Sequence, residues 1–446
     1  MHPLAVRYLI LPLHEMLVGR GTLSYLRRLE ASQWWPRQRL RELQERKLRR
    51  LLSHANAHCP FYRRRLHDAG IDPDRAVLAD LTKLPTLSKA QIKDQTGEMI
   101  DRRVRGGLID LCTGGSTGQP LAFKIDRRRQ AADQAARARS RRWFGIDLGQ
   151  RELYLWGSPL EHSTQDRART LRDRLTNHRL LDAFDMTPRT MSRYLDVVRR
   201  YDPVHLFGYP SSLARLCRHA AACGRSIASP SLRAVFVTGE VFQKSDRAMI
   251  EEAVSVPVAD GYGSREGGFV AHQCPAGAYH VTMESHIVEL LDERGRPAAE
   301  GDIGEIVLTH LDALGMPFIR YRTGDLAIRR QGDCPCGRGL EMLRAIEGRR
   351  TDMLRTASGG YAHGLSVIYE LREVPQIEEF RVCQRANLDL DISIVQRAEI
   401  TPGRLEQVAG RLRLRIGDTI AVRFNLVNRI APDPSGKHRH VVAQSP

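Results

Sequence analysis

The sequence predicts an α/β protein: a large domain layered on a parallel sheet with an antiparallel β subdomain, then a small α+β domain. Three observations carry this. Between about residues 108 and 260, short apolar runs that end in glycine alternate with helix-like segments, as parallel strands with helical crossovers do. Over residues 285–330 the runs alternate apolar and polar around Glu293-Arg294-Gly295-Arg296-Pro297, a turn-like stretch, as antiparallel strands do. After about residue 350 strand-like Phe380-Arg381-Val382, residues 388–395 and 419–427 accompany one helix near 404–414.

The elements follow in chain order. Residues 1–107 form a mainly helical lead-in, with a leucine stripe at Leu40, Leu43, Leu48, Leu51 and Leu52 broken at Cys59-Pro60. Buried strands are expected at 153–157, 204–208 and 234–239, and helices at 191–201 and 211–222. Sites in such sheets lie at the carboxyl ends of the strands, where these glycines fall. The domains predicted are 1–350 and 351–446 of the 446 residues, a length that can bury more than one core.

Composition narrows the function classes. With 42% hydrophobic and 27% charged residues the chain is neither disordered nor a bundle of membrane spans. The apolar run Leu9–Leu13 is too short to span, and no small-residue cleavage site follows it. It reads as helical, with peripheral contact to a membrane surface left open. The net charge of +17 invites nucleic acid as a partner, yet only seven of the 69 basic residues are lysine. That points to a general arginine preference. The runs Arg46–Arg50 and Arg63–Arg65 read as solvated helix faces, and no zinc-finger or RNA-binding motif accompanies them. Without a secretion signal the eight cysteines are not expected to form disulfides.

Five segments carry candidate chemistry. Thr113-Gly114-Gly115-Ser116-Thr117-Gly118 follows a short apolar run, and its glycines and hydroxyls suit an anion held by backbone N–H groups. It lacks the Walker spacing, and a plain glycine turn is the alternative. Asp260-Gly261-Tyr262-Gly263-Ser264-Arg265-Glu266, placed after Val254–Val258, offers a ring for a nucleobase and a carboxylate for magnesium. Asp325 in Thr323-Gly324-Asp325 can accept two hydrogen bonds from a ribose diol. Gly348-Arg349 is the fourth segment and Ser435-Gly436-Lys437 the fifth. Lys437 could equally be a solvated lysine.

In order and spacing, this set resembles the adenylate-forming superfamily of acyl-CoA ligases, most closely its phenylacetate-CoA ligase and CapK-like branch, from about residue 40 onward. The resemblance implies an N-terminal adenylation domain and a mobile C-terminal domain. It implies that Thr113–Gly118 hold the ATP phosphates and that Tyr262 stacks on adenine, while Glu266 positions magnesium. Gly239 and Glu240, after Thr238, would border the adenine pocket. Asp325 would bind the ribose, and Arg349 the ribose or a phosphate. Lys437 would bridge the carboxylate and the α-phosphate. Three positions depart from the family pattern. Arg265 stands where a hydroxyl residue is usual, and could take over a phosphate contact. The first motif reads Thr-Gly-Gly. Thr351 stands two residues after Arg349, where an aspartate is common, with Asp352 next.

The implied reaction converts a carboxylic acid to acyl-AMP with release of pyrophosphate, then transfers the acyl group to coenzyme A. ATP, magnesium and coenzyme A are the expected small molecules, and the cytoplasm the expected location. The acid would sit against Trp156, Gly157, Tyr209, Pro210 and Phe242, whose aromatics suit an aryl or hydrophobic acid unless they are simply core. Cys274, His280, Cys334 and Cys336 have the composition of a closed zinc site, for which the resemblance adds support; unpaired loop cysteines are the alternative. The nearest rival reading passes the acyl group to an acceptor other than coenzyme A. A non-catalytic scaffold for polysaccharide machinery, and more remotely a nucleic-acid binder, complete the set.

Overall fold

The computed structural model describes residues 1–113, 121–157, 172–183, 185–242, 244–349, 353–357, 361–363, 367, 370–371, 373–431 and 441–443. By its internal contacts the chain divides into two units, one of Met1–Thr323 with Ala327–Glu347, the other of Gly324–Leu326 with Gly348–Pro446.

In the first unit a helical region leads: α1 (Pro3–Ala5), a π turn (Val6–Ile10), α2 (Leu11–Leu17), α3 (Thr22–Ser32), α4 (Arg37–His58), α5 (Pro60–Asp68) and α6 (Lys89–Met99). The predicted stripe is real, for Leu40, Leu48, Leu51 and Leu52 are buried. Lys47 is not solvated, however. Its ammonium turns inward to Asp312 and the carbonyl of Glu284, each at 2.6 Å.

A hairpin of β1 (Leu108–Cys112) and β2 (Ala122–Asp126) precedes helix α7 (Arg127–Arg142). Eleven strands of the described residues then form one sheet. They are β3 (Glu152–Trp156), β4 (His178–Asp182), β5 (His205–Gly208), β6 (Ala234–Thr238), β7 (Val258–Ser264), β8 (Gly268–Gln273), β9 (Tyr279–Val281), β10 (His286–Leu291), β11 (Ile303–His310), β12 (Tyr321–Arg330) and β13 (Met342–Arg349). Their order is β10-β11-β12-β13-β9-β8-β7-β6-β5-β3-β4.

From β4 to β7 the neighbours are parallel. Helices α8 (Pro188–Tyr201), α9 (Pro210–Ala222) and α10 (Lys244–Val254) cross between them and pack Leu195, Leu213, Leu216 and Ile250 on one face. Tyr154, Phe207 and Phe236 pack on the other. The antiparallel strands predicted as a subdomain continue this same sheet. Val254 ends a helix, and the strand begins at Val258 and runs through Asp260–Ser264, so the second motif lies on a strand.

The second unit has a four-stranded sheet in the order β18-β17-β16-β19, from β16 (Ile377–Gln384), β17 (Leu390–Gln396), β18 (Val422–Leu426) and β19 (Val441–Ala443). Helix α11 (Pro402–Ile416) buries Val408, Leu412 and Ile416 in its core. A separate hairpin pairs β14 (Met353–Arg355) with β15 (Tyr361–His363).

Candidate active site and metal centre

Three parallel strands end together. Trp156 closes β3, Gly208 closes β5, and Gly239 follows β6. The Tyr209 ring stacks on Trp156 with centroids 4.0 Å apart and planes at 20°. Its hydroxyl donates to the carbonyl of Gly157 at 3.1 Å. Gly239 has φ +86°, and a Cβ there would lie 3.2 Å from the Tyr209 ring. A side chain would thus be strained in its backbone and crowded against the aromatic stack.

Tyr209 also caps α9, with Pro210 in the first turn. The Glu240 carboxylate accepts from the Ser211 N–H at 3.1 Å and its hydroxyl at 3.0 Å. A carboxylate there offsets the positive end of the helix. So Trp156, Gly157, Tyr209 and Gly239 meet at one edge, with Glu240 joined through α9. Phe242 packs in the α8–α10 layer, where Arg247 lies over its ring at 4.4 Å.

The β7–β8 corner carries Arg265 and Glu266. Arg265 Nη1 donates to the carbonyl of Cys112 at 2.8 Å, at the end of β1. The next residue, Thr113, closes the base of its loop in both directions. Its N–H donates to the Leu121 carbonyl at 3.0 Å and its hydroxyl accepts from the Leu121 N–H at 2.9 Å. The fold thereby brings the base of the first motif beside the second, although they are about 150 residues apart. Gly114, Gly115, Ser116, Thr117 and Gly118 lie outside the described residues.

Glu266 is buried. Its Oε1 accepts from the Tyr321 hydroxyl at 3.3 Å and lies 3.3 Å from Lys89 Nζ. Tyr262 is also buried, and its hydroxyl donates to Thr323 Oγ1 at 3.4 Å. Asp260 turns to Tyr279, whose hydroxyl donates to Oδ2. Burial raises the Asp260 carboxyl from the ordinary carboxylate range to about 7. Gly261 and Gly263 are further along the same strand, and Ser264 Oγ accepts the Gly267 N–H at 2.8 Å. Asp325 is on β12, half-buried, in the segment that groups with the second unit. Arg349 ends β13, and Lys437 lies outside the described residues.

A set of residues that the motifs did not reveal holds the β7–β8 corner from behind. Arg129 is buried in α7, and its Nη2 donates to the carbonyls of Arg265 at 2.8 Å and Glu266 at 2.7 Å. Asp133, one turn on, accepts from the Phe269 N–H at 3.1 Å and faces His310 Nε2 at 3.3 Å. Burial works to raise the Asp133 carboxyl, but His310, Arg129 and His286 hold it below the usual range. His286 Nε2 donates to the Gly267 carbonyl at 2.8 Å. Gly268 has φ +75°, and a Cβ there would strike Asp133 Oδ1 at 2.3 Å.

The cysteine set also converges. One ligand atom from each of Cys274, His280, Cys334 and Cys336 lies within 4.8 Å of all the others. Cys274 Sγ and Cys334 Sγ are 3.7 Å apart, and Cys336 Sγ is 3.2 Å from His280 Nε2. A tetrahedral zinc with Zn–S bonds of about 2.3 Å needs sulfurs about 3.8 Å apart, so the donor set fits that ion in identity and spacing. The loop from Cys334 is packed against the α3–α4 corner. Gly339 N–H donates to the Gln33 carbonyl at 3.0 Å, and the Arg338 guanidinium lies over Trp34 at 4.8 Å and Trp143 at 4.5 Å.

Comparison with known proteins gives two family matches. Residues 43–310 match the AMP-binding enzyme family, and residues 354–444 match the CapK C-terminal domain. Among curated relatives, a phenylacetate-coenzyme A ligase of Thermus thermophilus is 28% identical over 72% of this chain and 72% of its own. Protein CapK of Staphylococcus aureus is 20% identical over 90% of this chain and 88% of its own. Among solved structures, a 2-hydroxyisobutyryl-CoA ligase in the postadenylation state has the same fold, with a TM-score of 0.73 at 20% identity over 93% of this chain and 91% of that one.

Proposed function

This chain belongs to the family of AMP-binding enzymes, and from that premise we propose an AMP-forming acid–thiol ligase that activates a carboxylic acid with ATP and passes the acyl group to coenzyme A. The observation that carries the reading is the link from Arg265 to the Cys112 carbonyl. It sets Thr113, the base of the first motif, close to Arg265, the chain neighbour of the buried Glu266, which supports a phosphate role and a magnesium role at one corner. In the first step a carboxylate oxygen of the acid attacks the α-phosphorus of ATP, and the bond to pyrophosphate breaks. In the second the thiol sulfur attacks the acyl carbon, AMP leaves, and the thiol proton passes to solvent.

The carboxylate is already ionised at neutral pH and needs no general base. Like-charge repulsion is then the main obstacle, and fixed donors and cations offset it. Arg265, Lys437 and the loop N–H groups take that role in this reading, with Asp325 and Arg349 on the ribose and Tyr262 on the adenine. Glu266 offers an oxygen donor suited to magnesium, which when bound would neutralise phosphate charge. The Trp156–Tyr209 stack offers a flat apolar wall for an aryl or hydrophobic acid. Residues 351–446 would act as the mobile domain that shields the adenylate from water. Zinc held by Cys274, His280, Cys334 and Cys336 would be structural, since protein fills all four positions. The two nucleotide substrates imply a cytoplasmic location.

A second reading keeps the first step and changes the acceptor. It is favoured by the CapK C-terminal match and the long CapK alignment. The test is pyrophosphate release over a panel of carboxylic acids, followed by AMP release with and without coenzyme A. Release of pyrophosphate that depends on an acid, and of AMP that depends on coenzyme A, is expected. No acid-dependent pyrophosphate overturns the family chemistry for this chain. AMP release indifferent to coenzyme A assigns the second reading.

A further inference from the structure

The helical stretch Pro3–Leu17 is turned inside out. Its only exposed residues are Leu4, Tyr8, Leu9, Leu13, Met16 and Leu17, every one apolar and each 53–75% exposed. Meanwhile the acidic Glu15 faces inward, where its carboxylate accepts from Arg20 Nε and the Thr22 N–H, both at 2.8 Å. Burial of the charge and exposure of the leucines is the reverse of a helix folded only against its own core. The π turn at Val6–Ile10 contributes. It lengthens the turn so that the face passes from Leu4 to Leu9 by an i, i+5 step, then continues to Leu13 and Leu17 by i, i+4 steps.

The orientation is fixed by contacts on the other side. Val6 is fully buried, and the Pro3 carbonyl lies 2.6 Å from where a Cβ on Gly149 would be. Arg7 pairs with Asp147, and the Met1 carbonyl accepts from Asn177 Nδ2 at 2.9 Å. Asn177 belongs to a segment with exposed Arg174 and Leu175 just before the edge strand β4 and exposed Arg179 and Leu180 on it. Arg172 in the same segment acts electrostatically on His14 of the helix. Arg172, Arg174 and Arg179 thus lie in the segment that meets this helix, on a chain of net charge +17. The face lies ahead of residues 43–310, the span shared with the AMP-binding family.

We propose that this face lies in the headgroup layer of an anionic lipid membrane, with Leu4, Tyr8, Leu9, Leu13, Met16 and Leu17 immersed and the Arg174–Arg179 rim on the phosphates. Apolar burial and attraction to anionic lipid add in such helices. No helix of the described residues is long and apolar enough to cross a membrane, so the contact is peripheral.

The test is co-sedimentation of the full chain with phosphatidylcholine vesicles that contain or lack phosphatidylglycerol. The wild-type chain is expected to bind the anionic vesicles, and Leu9→Glu/Leu13→Glu/Met16→Glu to lose about tenfold or more in partition coefficient. Its thermal midpoint and pyrophosphate release should not change, because these side chains are exposed and none of them belongs to the machinery assigned above. Arg174→Glu/Arg179→Glu should lower binding to the anionic vesicles toward that of phosphatidylcholine alone. Wild-type chain that fails to sediment with either vesicle, or a triple variant that binds as well as wild type, overturns the proposal. So does concentration-dependent dimerisation abolished by the triple variant without vesicle binding, which would assign the face to a second copy.

Discussion

Arg129 offers the sharpest separation of stability from positioning. It touches no ligand in the reading above, yet its Nη2 holds the carbonyls of Arg265 and Glu266, the two residues assigned to phosphate and magnesium. Arg129→Met removes both charge-assisted hydrogen bonds, about 1.5–3 kcal/mol each. It also strips the nearby Asp133 of its guanidinium neighbour, 3.6 Å away. Breaking a buried pair in this way typically costs about 3–5 kcal/mol in all. Unfolding entropy is about 2.1 cal/mol/K per residue, so for a unit of about 340 residues each kcal/mol moves the midpoint about 1.4 °C. A fall of about 4–7 °C is therefore expected by scanning fluorimetry. Acid-dependent ATP–pyrophosphate exchange should lose about a hundredfold in kcat/KM, as misplaced groups do. Arg129→Lys keeps the charge but not the fork, and should fall between. A lowered midpoint with unchanged exchange kinetics would show that Arg129 only supports the fold. An unchanged midpoint would refute the burial energetics themselves.

Three other outcomes are expected. Lys437→Ala should cut acyl-AMP formation by about two to four orders of magnitude while leaving thioester formation from supplied acyl-AMP near normal; equal loss in both half-reactions would remove Lys437 from the chemistry. Purified protein should hold about one zinc per chain, and Cys334→Ser should lose metal and thermal stability together; full stability without metal would end the zinc assignment. Asp260 has a carboxyl raised by burial to about 7, so the folded state binds its proton more tightly than the unfolded state. Its contribution is whole below the ordinary carboxylate range and is lost as pH climbs to about 7 and beyond. Asp260→Asn should therefore raise the thermal midpoint at pH 8 and leave it nearly unchanged at pH 4; the opposite ordering would mean that Asp260 is ionised and stabilising.

Legibility in the sequence followed distance along the chain. The parallel strands and their glycine ends were readable because each is set by local patterning, as at Ala234–Thr238 with Gly239. Trp156 and Tyr209 could be nominated for one pocket because strand ends in such sheets share an edge. The start of β7 was not legible, because Val254-Ser255-Val256-Pro257-Val258 has the composition of a strand throughout. Helix α10 claims Val254 for the core of the neighbouring layer, and Asp260 finds Tyr279 to satisfy it inside the sheet. Arg129, Asp133, His286 and His310 gave no signal at all. Their partners are long-range, Arg129 and Glu266 being 137 residues apart.

The same distance explains why the charge of the chain misleads. Helix α7 reads Arg-Arg-Arg-Gln-Ala-Ala-Asp-Gln-Ala-Ala-Arg-Ala-Arg-Ser-Arg-Arg, which resembles a solvated basic strip. In the structure Ala131, Ala132, Ala135 and Ala136 pack, and Arg129, Arg139 and Arg141 are buried beside them. Arg139 meets Glu284 at 2.7 Å and Arg141 meets Glu152 at 2.7 Å. Arg320 likewise pairs with Glu289 at 2.7 Å inside the antiparallel half. Part of the arginine content thus serves as cross-links between distant strands and helices, where a planar fork can bind two acceptors at once. Formal charge consequently overstates what a polyanion in solution would meet. A basic surface has to be located residue by residue, as at exposed Arg174 and Arg179 in the segment that meets the N-terminal helix through Asn177, before a partner is inferred from it.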